Sequence, residues 1–327
     1  MKNQNKIALV TGANSGIGFE TAAQLAEDGY GKVILACRTL TKADAAKALL
    51  IERTGKDVFD TLAVDVSEPK TVHIACDTLL DRNDKIDILI LNAGMSSGTE
   101  PAYNSDGIEL TFASTIIGHH VMAIRLLNDK LLSEHGRIVI AGSEGARGDV
   151  PGMNIPDFPG FAAKHFNSDL ENMLETIARV QAPYKFNSMS TYVTAKVYVA
   201  WWAAALSRRL PAGITVNAVS PGSVPTTNFA RHQNWMMQKI MIPMMNSVGR
   251  LFGMAGPISA AARRYIDAAG FNDDTTGQFF ASPKGKMIGD LVVQTTPHFL
   301  SETSQEACWN VLVRLTNGAD YSVATAA

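Results

Sequence analysis

Short apolar runs, each followed by a stretch with helical spacing, recur along the first 140 residues of this 327-residue chain. The runs lie at 6–10, 32–36, 61–64, 86–91 and 137–141, and they are rich in Val, Ile and Leu. Apolar strands without polar alternation are typical of a parallel sheet that is buried on both faces. The repeated order of strand and helix therefore predicts a doubly wound α/β fold.

The rest of the chain adds two strand candidates, at 215–219 and 278–281, so we expect a parallel sheet of about seven strands. The stretch Val197 to Leu206 is apolar throughout and predicts a buried helix. A last helix is expected to start near Thr303, because Thr303 and Glu306 have the spacing of a capping box.

Two long segments interrupt the alternation of strands and helices. Residues 144–191 contain four prolines, which predict irregular structure apart from a short helix within 169–180. Residues 227–286 form the second long segment, and six of the 13 methionines fall within 236–254. Long insertions between sheet elements are more often functional than decorative. We predict one domain over 1–327, with both insertions on its substrate side.

Composition excludes several classes of protein. Apolar residues make up 46% and charged residues 18% of the chain, which excludes wholesale disorder. The net charge of −2 disfavours a general nucleic-acid binder. The longest apolar stretch has ten residues, so we expect no membrane span. Three widely spaced cysteines form neither a disulfide framework nor a zinc cluster, which favours a reducing compartment and a cytoplasmic protein.

The first strand runs directly into a glycine-rich turn, Thr11 to Gly18, and a helical pattern follows. Glycines at 12, 16 and 18 allow the backbone to turn tightly and to approach a ligand closely. The helix after such a turn directs its N-terminal N–H groups at a phosphate. Because the turn lies in the first strand–helix unit, it predicts a dinucleotide site rather than an ordinary tight turn.

Thr11 to Gly18 resembles the TGxxxGxG turn of the short-chain dehydrogenase/reductase family. Three other segments agree with that resemblance: Asn92-Ala93-Gly94 is similar to the NAG motif, Tyr192 to Lys196 to YxxxK, and Pro221 to Thr226 to PGxVxT. The family implies a Rossmann-type fold and a nicotinamide cofactor.

A narrower resemblance is to the retinol dehydrogenase and protochlorophyllide reductase branch of that family. It rests on Ala36-Cys37-Arg38, Ser105 to Glu109, Gly118-His119, and the segment from Leu300 to Trp309. The positions that the family motifs assign to the cofactor are Gly12, Asn14, Ser15, Gly16, Ile17, Gly18, Arg38, Asp65, Val66, Asn92, Ala93, Gly94, Tyr192, Lys196, Pro221, Gly222, Val224 and Thr226.

The end of the second strand indicates which cofactor is used. NAD-dependent relatives carry an acidic residue there that accepts hydrogen bonds from the ribose. Here Cys37 occupies that place and Arg38 follows it. A carboxylate would repel a 2′-phosphate, whereas a guanidinium can bind one, so we expect NADP(H).

The resemblance also implies a catalytic set of Ser143, Tyr192, Lys196 and Thr115. Tyr192 and Lys196 are four residues apart and share a helix face, so we expect the ammonium to lower the pKa of the phenol. Ser143 would hold the substrate oxygen. Thr115 stands where the branch carries an Asn that supports a water next to the Lys, so we expect an altered proton relay.

Adjacent His119 and His120 point about 100° apart on a helix, which predicts packing rather than a metal site. The Met-rich stretch after Thr226 is compatible with an apolar substrate, with ordinary core, with a partner interface or with a membrane-surface helix. We expect its residues 227–254 and the segment 144–191 to form two walls of one apolar pocket. Nothing in the sequence names the substrate, and a homo-oligomer is compatible with it.

These observations predict an NADP(H)-dependent oxidoreductase that interconverts a carbonyl and an alcohol on an apolar substrate. Two alternatives stay open. One is reduction of a C=C bond, as in the protochlorophyllide reductases. The other is a non-catalytic NADP(H)-binding sensor.

Overall fold

The computed structural model describes residues 3–224 and 255–321, and within them a single eight-stranded sheet organises the fold. Its order is β3-β2-β1-β4-β5-β6-β7-β8. The strands are β1 Ile7–Thr11, β2 Lys32–Cys37, β3 Phe59–Ala63, β4 Ile86–Leu91, β5 Leu132–Ala141, β6 Thr215–Val219, β7 Phe279–Ala281 and β8 Val292–Val293. The first seven pair in parallel, which confirms the doubly wound prediction. The antiparallel β8 was not predicted.

Helices flank the sheet on both sides. They are α1 Gly16–Glu27, α2 Leu40–Thr54, α3 Pro69–Arg82, α4 Leu110–Phe112, α5 Gly118–Asn128, α6 Phe158–His165, α7 Leu170–Ala178, α8 Ser188–Ser207, α9 Ile258–Ala269, α10 Pro297–Leu300 and α11 Glu302–Leu315. A π-helical turn, Ala113–Ile117, joins α4 to α5, and a 3₁₀ turn, Glu144–Arg147, follows β5.

Alternate side chains of the central strands enter two separate cores. Leu9 and Leu89 pack with α3, α5, α8 and α11, whereas Val10 and Ile90 pack with α1, α2 and α9. All four are fully buried. Burying one such side chain contributes about 1.5–3 kcal/mol, which explains why these strands carry no polar alternation.

Two details of the helices differ from the predictions. The last helix is capped by Ser301, whose hydroxyl accepts the Ser304 N–H, rather than by Thr303. Glu306 lies 2.6 Å from both Arg208 and Arg209, which directly follow α8, and hydrogen bonding to Arg209 lowers its pKa to about 2. The carboxylate is therefore used to join two helices rather than to close a capping box.

The segment 144–191 is more regular than its prolines suggested. It contains α7, as predicted, and also α6, which was not predicted. Pro159 lies in the first turn of α6, where a missing N–H costs no helical hydrogen bond. Asp157 caps this helix by accepting the Gly160 N–H.

The stretch Leu110–Asn128 is long and apolar enough to cross a membrane, and 89% of its most apolar window is buried inside the fold. Its side chains pack beneath the sheet, as those of a core helix do. The buried helix predicted over Val197–Leu206 is confirmed as part of α8.

Candidate active site

The glycine-rich turn follows β1 and enters α1 at the carboxyl edge of the sheet. Gly12 and Gly16 have φ angles of 68° and 60°, which favour glycine. A Cβ on Gly18 would lie 2.5 Å from the Gly12 carbonyl oxygen and 2.6 Å from Nδ2 of Asn92. The glycines thus let the turn pack closely against Asn92 at the N-terminus of α1, and a helix N-terminus is a place where backbone N–H groups can bind a phosphate.

Thr11 joins this turn to the end of β4. Its hydroxyl accepts the backbone N–H groups of Asn92 and Ala93, each at 2.9 Å. The Asn92 side chain donates to the Thr11 carbonyl oxygen at 2.9 Å, and Nε2 of His119 lies 3.0 Å from the Thr11 hydroxyl. The structure therefore brings together the first two motifs that the sequence singled out.

Arg38 lies beside Asp65, with 3.1 Å between Nε and Oδ2. The Arg38 side chain is 58% exposed, so this ion pair contributes about 0.2–1 kcal/mol. Cys37, one residue earlier, is buried, and burial raises the pKa of its thiol to about 11. An uncharged thiol and a loosely held guanidinium thus stand where the sequence indicated the choice of cofactor.

Val66 and Thr115 both lie close to the start of α5, and Thr115 also lies close to the loop after β4. A Cβ on Gly118 would lie 1.8 Å from the Val66 carbonyl oxygen, so α5 begins in direct contact with that loop. Thr115 is buried in the π-helical turn, and its hydroxyl oxygen would lie 3.4 Å from a Cβ on Gly94. The loop after β3, the loop after β4 and the π-helical turn therefore converge.

Ser143 lies two residues after β5 and is hydrogen-bonded to Tyr192 on α8. The Ser143 hydroxyl also accepts the Gly145 N–H at 3.2 Å, which fixes the 3₁₀ turn. Burial raises the pKa of Tyr192 to about 12, and the negative charge of Glu144 acts in the same direction. The long separation of Ser143 from Tyr192 in sequence does not keep them apart.

Lys196 lies one helical turn after Tyr192, and its Nζ is 5.9 Å from the centre of the phenol ring. Its ammonium donates to the Ala141 carbonyl oxygen at 2.7 Å, and burial lowers its pKa to about 8. Burial dominates the pKa of Tyr192 and raises it, so the net lowering expected from the sequence is not seen, and the effect of the Lys196 ammonium on the phenol stays a prediction.

The Pro221–Val224 segment follows β6 and contacts a loop after β7. The Ser223 N–H donates to the Met287 carbonyl oxygen at 2.9 Å. Thr226 and the Met-rich residues 227–254 lie outside the described residues.

A cavity of about 670 Å³ lies between residues 147–151 and 283–290. Arg147, Asp149, Lys286 and Asp290 line it together with Met287 and other apolar groups. Its lining mixes charged and apolar side chains. The apolar pocket predicted between 144–191 and 227–254 stays a prediction, because its second wall lies outside the described residues.

The two adjacent histidines serve as packing and hydrogen-bonding groups. Nδ1 of His119 lies 3.0 Å from the Thr115 carbonyl oxygen, and His120 contacts the rings of Trp202 and Trp309. Over residues 3–224 and 255–321, no group of three or more His, Cys, Asp or Glu side chains is arranged to bind a metal.

Sequence reasoning missed two sets of contacts at the site. One is the link from His119 to Thr11, and the other is a buried ion pair between Glu144 and Arg264, 3.2 Å apart. The position of Glu144 directly after Ser143 was the only signal for the second. Nothing in the sequence marked Arg264, which is 120 residues away.

The sequence is similar to a family model and to several curated proteins. The short chain dehydrogenase family model matches residues 6–156. Human retinol dehydrogenase 13 is 28% identical over 283 residues, which cover 86% of this chain and 77% of that protein. The WW domain-containing oxidoreductase of Danio rerio is 30% identical, covering 84% of this chain but only 61% of that protein. The chloroplastic protochlorophyllide reductase of Daucus carota is 27% identical, covering 73% and 61%.

Solved structures share the fold at lower identity. An uncharacterised protein from Mycobacterium paratuberculosis has a TM-score of 0.68 and 23% identity, covering 97% of this chain and 94% of that one. An actinorhodin polyketide ketoreductase solved with NADPH has a TM-score of 0.60 and 22% identity, covering 85% and 96%. These two likenesses establish the architecture.

Proposed function

Because the chain belongs to the short-chain dehydrogenase/reductase family, in the branch of the retinol dehydrogenases and protochlorophyllide reductases, we propose that it is an NADP(H)-dependent oxidoreductase. Its reaction would interconvert a carbonyl and an alcohol on an apolar substrate. The observation that carries the proposal is the hydrogen bond from Ser143 to Tyr192, with Lys196 one turn further along α8.

The residues around the glycine turn fit a dinucleotide. A side chain at Gly18 would collide with the Gly12 carbonyl, so only glycine lets α1 begin this close to the turn, and the N–H groups at the N-terminus of α1 can then face phosphate oxygens. In this proposal Arg38 binds the 2′-phosphate, Asp65 and Val66 flank the adenine, and Asn92 to Gly94 pass beneath the ribose. Pro221, Gly222, Val224 and Thr226 complete the nicotinamide end.

The nicotinamide supplies or accepts a hydride at its C4 carbon when it is bound. The chain's own residues handle the proton. With a pKa near 12, Tyr192 is protonated at neutral pH, and a protonated phenol can donate to the oxygen of a carbonyl that is being reduced. Ser143 would hold the same oxygen, and Lys196 would bind the ribose hydroxyls.

Thr115 is the residue that we assign to the proton relay beside Lys196. In this proposal its buried hydroxyl takes the place of the branch's Asn beside Gly94 and supports a water near Lys196. The shorter side chain would alter the relay without abolishing it. Because Ser143, Tyr192 and Lys196 are all retained, an enzyme is favoured over a cofactor-binding sensor.

A matched pair of variants tests this function. Wild type, Tyr192→Phe and Tyr184→Phe would each be assayed for NADPH oxidation with aldehydes and ketones, and with conjugated enones for C=C reduction. Tyr192→Phe should lower kcat by about 10²–10⁴-fold and leave NADPH affinity nearly unchanged, because only the proton donor is lost. Tyr184 bonds Thr191 through its hydroxyl and is the control, with kcat near the wild-type value.

Near-normal turnover by Tyr192→Phe would contradict the mechanism. Turnover of enones alone would favour the C=C alternative. Binding of NADPH by a wild-type protein that turns over neither class would favour the sensor.

We further propose one oxidoreductase domain over 1–327 and a cytoplasmic location. The three cysteines, Cys37, Cys76 and Cys308, are free and buried, which supports a reducing compartment.

A further inference from the structure

Glu144 directly follows Ser143, and its carboxylate is held by groups from three other segments. It accepts the Ser220 hydroxyl, and it accepts both the N–H and the hydroxyl of Ser282, at 3.2 and 2.9 Å. Nη1 of Arg264 completes the set at 3.2 Å. Only 2% of Glu144 and 8% of Arg264 is exposed, so both charges are withdrawn from water.

Arg264 lies on α9 and uses its remaining donors on the same segments. Nη1 also donates to the Ser220 carbonyl oxygen at 3.1 Å, while Nη2 donates to the Ser282 hydroxyl at 2.8 Å and to the Gly289 carbonyl oxygen at 2.6 Å. Buried ion pairs are costly to desolvate, and an apolar pair of similar size often stabilises a fold as well. The pair therefore calls for a reason other than stability.

The two segments that the ion pair joins carry residues of the proposed active site. Ser143 is bonded to Tyr192, and the Ser220 hydroxyl accepts the Gly222 N–H at 3.3 Å. A Cβ on Gly222 would lie 3.0 Å from Nη1 of Arg264. The ion pair thus sits directly between the turn that presents Ser143 and the segment that the proposed function assigns to the nicotinamide end of the cofactor.

We propose that Glu144 is a positioning residue: with Arg264 as its fixed counter-ion, it holds the 3₁₀ turn of Ser143 against the Pro221–Gly222 segment. The Ser143 hydroxyl is thereby kept on Tyr192 while cofactor and substrate bind beside it. The kinetic consequence of this role rests on the proposed function, whereas the physical link between the two segments does not.

The test removes both charges together. Glu144→Gln alone would leave a buried guanidinium unpaired and could unfold the protein, so the main variant is Glu144→Gln/Arg264→Met. Glu20→Gln/Arg53→Met is the matched control, because that pair joins α1 to α2 at 2.6 Å and does not contact Ser143 or Ser220.

The first readout is hydrogen–deuterium exchange of the full chain, which needs no substrate. In the main variant, the amides of Gly145, Ala146 and Gly222 should exchange at least tenfold faster, because the first two bond to Ser143 and the third to Ser220. The control variant should leave these amides at wild-type rates. Wild-type exchange at all three amides in the main variant would overturn the proposal.

The second readout is steady-state kinetics with NADPH and the best carbonyl found for wild type. The main variant should lose at least tenfold in kcat with KM changed less than threefold, while the control keeps both. Faster exchange combined with wild-type kcat would show that the pair is only structural and would overturn the positioning role. A wild type without turnover would contradict the proposed function, and the exchange of Gly145 and Gly222 would still decide whether Glu144 holds the turn.

Discussion

The Thr11 hydroxyl donates a hydrogen bond to Nε2 of His119 across 3.0 Å. The direction follows from the other ring nitrogen, because Nδ1 faces the Thr115 carbonyl oxygen at 3.0 Å and must carry the proton. Burial agrees with a neutral ring, since it lowers the pKa of His119 to about 4. The same hydroxyl is left to accept two N–H groups from the end of β4. His119 therefore orients the residue that joins the glycine turn to the Asn92 loop.

Replacing His119 should weaken cofactor binding without touching the cofactor. His119→Phe removes the nearer acceptor of the Thr11 hydroxyl and leaves it only the Ile90 carbonyl oxygen at 3.4 Å, so NADPH affinity should fall about 5–10-fold, the equivalent of one neutral hydrogen bond. His120→Phe is the control, because His120 bonds the Ala319 carbonyl oxygen instead. Isothermal titration with NADPH would measure both. Equal affinities for the two variants would contradict the role given to His119.

Arg38 should determine the preference for NADP(H) over NAD(H). Its partner Asp65 holds it only by an exposed ion pair, so a 2′-phosphate can compete for the guanidinium. Arg38→Ala should weaken NADPH binding about tenfold or more and leave NADH binding nearly unchanged, because a charge-assisted bond contributes about 1.5–3 kcal/mol. Arg82→Ala, at a surface pair with Asp60, is the control. Fluorescence titration with each cofactor decides it, and equal losses for both would refute the phosphate role.

The sheet and the glycine turn were predictable because each depends on local pattern. Buried parallel strands carry apolar runs, and the turn needs glycine for its positive φ angles at Gly12 and Gly16. The edge strand β8 has only two residues, both exposed, so no pattern marks it. The cap at Ser301 was missed because Thr303 and Glu306 matched the same rule two residues later.

The sequence predicted which residues form the site better than it predicted their pKa values and contacts. Motif spacing brought Tyr192 and Lys196 to one face of a helix, but the pKa of the phenol depends on burial, which spacing does not report. The ion pair of Glu144 and Arg264 joins the 3₁₀ turn after β5 to α9, and these two elements approach only once the sheet has formed. Contacts of this kind have no local signal in the sequence.

Gly118 should tolerate no side chain. A Cβ there would lie 1.8 Å from the carbonyl oxygen and 2.7 Å from the carbonyl carbon of Val66, and backbone cannot rotate away. Gly118→Ala should therefore lower the free energy of unfolding by about 1–3 kcal/mol or more, although alanine is the better helix former. Gly270→Ala is the control, since the nearest atom would be 3.2 Å away. Urea denaturation that shows equal stability for the two variants would contradict the close approach of α5 to Val66.

The two buried histidines should make the fold sensitive to mild acid. Burial lowers the pKa of His119 and His120 to about 4, whereas an unfolded histidine titrates near 6.5. Between these values the unfolded chain binds protons that the folded chain does not, so the free energy of unfolding should decline as pH falls from 6.5 to 4. Each histidine contributes a slope of about 1.4 kcal/mol per pH unit in that window, and its contribution is fully present above 6.5.

His120→Phe isolates one of these contributions, because a phenyl ring can keep the contacts with Trp202 and Trp309. Urea denaturation at pH 7, 6 and 5 should show that the free energy of unfolding of the variant falls by about 2 kcal/mol less than that of wild type between pH 7 and pH 5. His165→Gln is the control, since His165 is an exposed histidine in the last turn of α6, away from Trp202 and Trp309. A His120→Phe slope equal to that of wild type would mean that His120 takes up its proton in the folded protein as readily as in the unfolded chain.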